Sequence, residues 1–160
     1  MEAAQGDNPR RMRFMIDVAA PPNEAFALIS DIERHGEWSP QEFEAIRVDN
    51  GPIGVGSRYR TVGRKGAGRG HLRAADVEVT AYEPTTRFGF AATETAGTYR
   101  TTFVISPAAT GSHVERTVDP PTTGVVPFIR HVILASVVRR YVQQNVEALK
   151  ERLDRGAPVA

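Results

Sequence analysis

The apolar period of this chain changes once, near residue 126, and that change bounds what it can fold into. Between Arg13 and Asp119, apolar side chains recur at every second position in short runs separated by turn residues, the mark of strands with one buried face. From Val126 to Leu153 the spacing becomes three or four, through Leu134, Val138, Val142, Asn145 or Val146, Leu149 and Leu153. This predicts one long helix, stopped by Gly156 and Pro158. About 28 residues at roughly 1.5 Å each make a rod of about 40 Å, long enough to cross a small sheet. Consecutive strands joined by short turns form an antiparallel meander, whose apolar face the helix must cover.

Two short helices interrupt the strands near the start. Phe14, Ile16 and Val18 alternate in the first strand, which Pro21-Pro22 ends. Asn23-Glu24 ahead of Ala25, Phe26, Leu28 and Ile29 predicts a helix over 22–30, with acidic charge near its positive end. Asp31 to His35 makes a second turn of helix ending at Gly36, with Ser30 or Asp31 placed to cap it. Six further strands follow: Phe43–Val48, Ser57–Val62, Leu72–Tyr82, Arg87–Thr93, Tyr99–Ile105 and His113–Asp119. Glycine, proline, Asp and Asn cluster between them, and Gly63–Gly70 is a glycine-rich basic loop. At 160 residues the chain is one domain, expected over 13–155 between a loose N-terminal tail, 1–12, and a short C-terminal one, 156–160.

Composition removes several function classes. There is no cysteine, so disulfides, thiolate metal sites and cysteine nucleophiles are excluded. Twenty basic and 19 acidic residues sum to +1, which leaves no bulk electrostatic case for nucleic acid or an anionic membrane. No apolar run reaches the roughly 18 residues of a membrane span, and the N-terminus lacks the apolar core of a secretory signal, so a cytoplasmic location is expected. The near-zero sum hides a segregation. Glu24 to Asp49 holds seven acidic and two basic residues, whereas Asn50 to Ala75 holds six basic and none acidic.

The strand ending in Ala20-Pro21-Pro22-Asn23-Glu24-Ala25-Phe26-Ala27-Leu28-Ile29-Ser30-Asp31-Ile32-Glu33-Arg34-His35-Gly36-Glu37-Trp38 is followed by Val55-Gly56-Ser57-Arg58-Tyr59-Arg60. Then come Val79-Thr80-Ala81-Tyr82-Glu83-Pro84, Arg87-Phe88 and the closing helix. Over about residues 13–154 this pattern resembles the START-related (SRPBCC, Bet v 1-like) superfamily, in particular its bacterial polyketide cyclase/dehydrase and lipid-transport branch. The resemblance implies an α+β helix-grip fold: a curved seven-stranded antiparallel sheet wrapped around the long C-terminal helix, with two short helices after the first strand and a hydrophobic cavity between sheet and helix. It does not imply one function, because such relatives include carriers, receptors, cyclases and chaperone activators. Three readings follow: a carrier of a small hydrophobic molecule such as a lipid, polyketide or quinone; a polyketide cyclase, aromatase or dehydratase; and a partner-binding module of chaperone-activator type. A monomer or homodimer with no cofactor fits each. If the short helices and the basic loop flank the cavity mouth, their opposite charges either attract as a salt-sensitive lid or leave a basic rim for an anionic ligand.

No catalytic motif stands out. The glycine-rich loop lacks the G-x-x-x-x-G-K-[ST] spacing and lies between strands, as befits a hairpin loop. His35, His71, His113 and His131 have no partner at a metal-binding spacing, and solvent or local hydrogen bonding suits His113 and His131. No serine sits in G-x-S-x-G. Candidate ligand contacts come from strand parity and the helical stripe: Tyr59, Val77, Val79, Phe88, Phe90, Tyr99, Phe103 and Arg116 from strands, and Val138, Tyr141 and Asn145 from the helix. Trp38 either guards the cavity entrance or plugs the gap between short helices and sheet. An inward Arg116 needs a carboxylate such as Glu94 or Glu83, solvent, or a ligand oxygen. For a cyclase, Arg116, Tyr99 and Tyr59 are the candidate proton and oxyanion donors, and the sequence shows no base to accompany them.

Overall fold

The strands form where alternation predicts them. In the computed structural model, which describes residues 10–64, 72–95, 97–121 and 128–156, β1 (Met12–Val18) leads into α1 (Pro22–Ser30) and a 3-10 helix (Ile32–Glu37). Then come β2 (Phe43–Arg47), β3 (Arg58–Arg64), β4 (Leu72–Glu83), β5 (Arg87–Glu94), β6 (Gly97–Pro107) and β7 (Ser112–Asp119), and last α2 (Phe128–Gly156). Most of the glycine-rich basic loop lies outside the described residues. Pro22 occupies the first turn of α1, where its missing N–H costs nothing, and the Pro21 carbonyl accepts from the amides of Glu24 and Ala25. Asp31 does sit at the start of the 3-10 helix, but its side chain caps nothing; its carbonyl accepts from the Arg34 amide at 3.0 Å.

The seven strands form one antiparallel sheet in the order β1-β7-β6-β5-β4-β3-β2. From β2 to β7 it is the predicted meander. Only the β1–β7 pairing is distant in sequence, and it sets Phe14 opposite Arg116, which in turn lies opposite Phe103 of β6. A register shift between Val79 and Ala81 bends β4 against β5. The β6–β7 turn presses on the end of β1: Gly111 has φ +82°, and a Cβ there would run into the carbonyls of Val18 and Ala19. Beside it the buried Ser112 hydroxyl donates to the Ala20 carbonyl at 2.7 Å.

The C-terminal half of α2 is tied down along its length. Val142, Val146, Leu149 and Leu153 are buried, at the four- and three-residue steps of the predicted stripe. Asp154 accepts from the Ala19 amide at 2.8 Å, Lys150 donates to the Asp17 carbonyl at 2.6 Å, and Arg152 reaches Glu37 at 2.9 Å. Of the acidic residues in the short-helix region, Glu37 is engaged by both Arg34 and Arg152, and Glu33 accepts from the Arg47 amide at 3.3 Å. α1 closes the same end of the sheet, with Phe26 edge-on to Tyr82 at 5.3 Å and Ala25, Leu28 and Ile29 in the core with Phe88 and Ile105.

Candidate ligand cavity

At the other end of the sheet the space under α2 is not filled. A cavity of about 630 Å³ lies between β3–β7, the 3-10 helix and the stretch of α2 from Val137 to Asn145. That volume is within the usual range for small-molecule sites. Trp38, Val77, Phe90, Tyr99, Arg116, Val138, Tyr141 and Asn145 line it. Tyr59, Val79, Phe88 and Phe103 are at most 1% exposed and pack in the solid core instead. Parity put all of these on the inner face, but a strand's inner residues run the length of the molecule. Those nearer α1 meet side chains, and those farther along meet the void.

The 3-10 helix supplies one wall. With about three residues per turn, Ile32, His35 and Trp38 fall above one another, and all three are buried and line the cavity. Sequence reasoning missed His35 because it gave this turn no inner face; the i, i+3 spacing of Ile32, His35 and Trp38 is the signal that locates it. The His35 ring lies 4.7 Å from Trp38 and 5.9 Å from Phe90. Its Nε2 donates to the Ile29 carbonyl at 2.8 Å, which leaves Nδ1 as the acceptor of a neutral ring. Burial lowers its pKa to about 4, with the nearby Arg116 charge pushing the same way.

Arg116 is 8% exposed and stands over Phe103, its guanidinium carbon 5.2 Å from the ring centre. Its Nε and Nη1 are buried and have no hydrogen-bond partner among the described residues, and neither do Trp38 Nε1 and Gln41 Oε1 on the same wall. Of the carboxylates expected to meet it, Glu83 is 3.5 Å from Arg87, and neither Glu83 nor Glu94 accepts from Nε or Nη1. Desolvation lowers the Arg116 pKa to about 10, so the group is a buried cation at neutral pH. Asn145 Nδ2 donates to the Tyr141 carbonyl at 3.3 Å, one turn back on α2. Away from the cavity, the buried Tyr59 hydroxyl has no partner either, and burial raises its pKa.

A sheet gripping one long helix over an apolar cavity directs the comparison with known proteins. The family model described as "Polyketide cyclase / dehydrase and lipid transport" matches residues 10–154. The chain belongs to that family. No curated protein matches it in sequence. Among solved structures, TTHA0849 from Thermus thermophilus is similar with a TM-score of 0.73 and 19% identity, over 92% of this chain and 99% of that one. Protein CV1439 from Chromobacterium violaceum gives 0.67 and 20%, over 91% and 99%. Ara h 8.0201, a Bet v 1-like protein, gives 0.68 and 16%, over 89% and 96%. At these identities the likeness is one of fold, and it establishes the helix-grip architecture that the family shares.

Among the described residues there is no group of three His, Asp or Glu that could hold a metal. His113 sits at the surface with Nδ1 2.8 Å from Asp17. His71 and the side chain of His131 lie outside the described residues. No helix of the described residues is long and apolar enough to cross a membrane.

Proposed function

We propose that this chain binds a small hydrophobic molecule in the cavity beneath α2 and carries or presents it. One observation carries the reading: a void of about 630 Å³, walled largely by aromatic and aliphatic side chains, in which buried polar atoms have no partner among the described residues. Native cores satisfy nearly all buried polar groups, and the exceptions require an explanation. A bound ligand supplies the missing acceptors and fills space that tight packing otherwise eliminates. Native mass spectrometry of the purified protein, followed by solvent extraction, tests this. A co-purifying small molecule, or uptake of one on incubation with a hydrophobic extract, supports it; an empty protein that takes up nothing overturns it.

The cyclase reading needs a base to remove a proton beside a carbonyl that Arg116 polarises. His35 is the imidazole on the cavity wall, but a pKa near 4 makes it a weak proton acceptor at neutral pH, far from the match that general-base catalysis favours. The carboxylates on the wall, Glu42 and Glu94, each have interactions of their own, and binding without turnover is the better account. Equal background rates for wild type and Arg116→Ala with a poly-ketone surrogate are expected, and a rate that falls in the variant would restore the enzymatic reading.

A further inference from the structure

Two wall side chains with open donors, Arg116 and Trp38, both lie against Phe103. Phe103, in the core behind the wall, has Arg116 over its face at 5.2 Å and the Trp38 ring edge-on at 6.5 Å. Nε and Nη1 of Arg116 and Nε1 of Trp38 are donors only, and all three are buried without an acceptor among the described residues. The acceptors facing them on the described wall are both neutral: Gln41 Oε1, buried without a partner, and Nδ1 of the His35 ring. The other charged wall residues are Glu42, Glu94 and Arg140. Glu42 and Glu94 each have interactions of their own, and Arg140 is exposed. The His35 Nε2 proton is already given to Ile29.

Resting on the reading of this void as a ligand site, we infer that its ligand is an organic anion, an apolar chain or ring system ending in a carboxylate or enolate-type oxygen. It enters oxygen-first, so that the charged end meets Arg116 and Trp38 beside Phe103. The physical reason is the cost of what is already buried. A desolvated guanidinium with open N–H groups is expensive, and only an anion both compensates its charge and accepts its protons. A neutral hydrocarbon would cover the donors and leave them unsatisfied, and an ammonium would add repulsion. The aromatic and aliphatic wall, from Phe90 and Val77 to Val138 and Tyr141, then receives the apolar body.

Calorimetry on the full chain with matched head groups tests the inference: laurate against lauryl alcohol and methyl laurate, and anthracenecarboxylate against anthracenemethanol. A charge-assisted hydrogen bond in a buried site implies that each acid binds about 10- to 100-fold tighter than its neutral analogue. Arg116→Met should level each series while the alcohols still bind, and Arg116→Lys should keep a preference for the acids. Wild-type affinities that are equal across a series, or higher for the neutral analogues, overturn the anion inference and leave the cavity reading intact. Failure of every probe to bind overturns both. Because the wild-type series decides alone, a poorly folding Arg116→Met would not blunt the test.

Discussion

The two halves of the described part of α2 show the same apolar spacing and meet opposite surroundings. Around Leu149 and Leu153 the helix packs against α1, β1 and the filled end of the sheet, and both side chains are at most 4% exposed. Around Val137, Val138 and Tyr141 it faces a void, with Val138 and Tyr141 half-buried and Val137 60% exposed. What separates the halves is α1. This nine-residue helix fills one end of the sheet's inner face with Ala25, Phe26, Leu28 and Ile29, while nothing comparable in the described residues fills the other. Stability is concentrated where the packing is solid, and binding capacity where it is not.

Substitutions in the two halves should therefore behave differently. Leu149→Ala, in the solid half, should cost about 3 kcal/mol or more in urea unfolding, as truncation of a buried leucine leaves a cavity that cannot collapse. It should leave ligand affinity nearly unchanged; equal loss of both would break the comparison. The next effect comes from pH. His35 is held neutral, with its pKa lowered from 6.5 to about 4, so its contribution is fully present above about pH 6.5 and is lost as pH falls toward 4. Protonation there should remove roughly 3 kcal/mol over that window. His35→Phe should flatten the step in a series of unfolding curves. The lowered carboxylates of Glu37, Asp49 and Asp154 lose their contributions below their ordinary titration ranges, so their effect falls at lower pH.

Arg116→Met should have the opposite sign. Replacing a buried, unpartnered cation by an apolar side chain of similar length should raise the stability of the ligand-free protein by about 1 kcal/mol or more. A measured loss of several kcal/mol would mean that the guanidinium has partners and that the cavity is not short of acceptors. Smallest of all, Val138→Ala on the cavity wall should cost less than about 1 kcal/mol, since the side chain is only partly buried and borders a void. Its effect should appear instead in ligand binding, followed through Trp38, the sole tryptophan and a wall residue of the same cavity.

Most of the fold was legible because it rests on local chemistry. Alternation at Phe14, Ile16 and Val18, the Pro21-Pro22 break and the helical stripe from Leu134 to Leu153 each act over a few residues, and boundaries moved by at most three positions. The site was legible in part. Parity correctly turned Arg116, Val77 and Phe90 inward, but it turned Val79, Phe88 and Phe103 inward just as well, and those three are core. Strand parity reports a face of the sheet, not a depth along it. His35 and Gln41 escaped for a different reason: they follow α1 in a tight turn and an irregular stretch, where the familiar strand and α-helix periods do not apply.

By itself, then, the sequence determined the order of elements, the meander and the covering helix, because hydrophobic period and turn chemistry act over short distances. Only the tertiary structure decided where the core stops and the cavity starts, and that Arg116 has no carboxylate among the described residues beside its buried Nε and Nη1. Those outcomes depend on how far α1 reaches along the sheet and on the pairing of β1 with β7, which brings together residues about one hundred positions apart. No window of sequence spans that distance, and packing across it determines whether a buried charge finds a partner or is left to bind one.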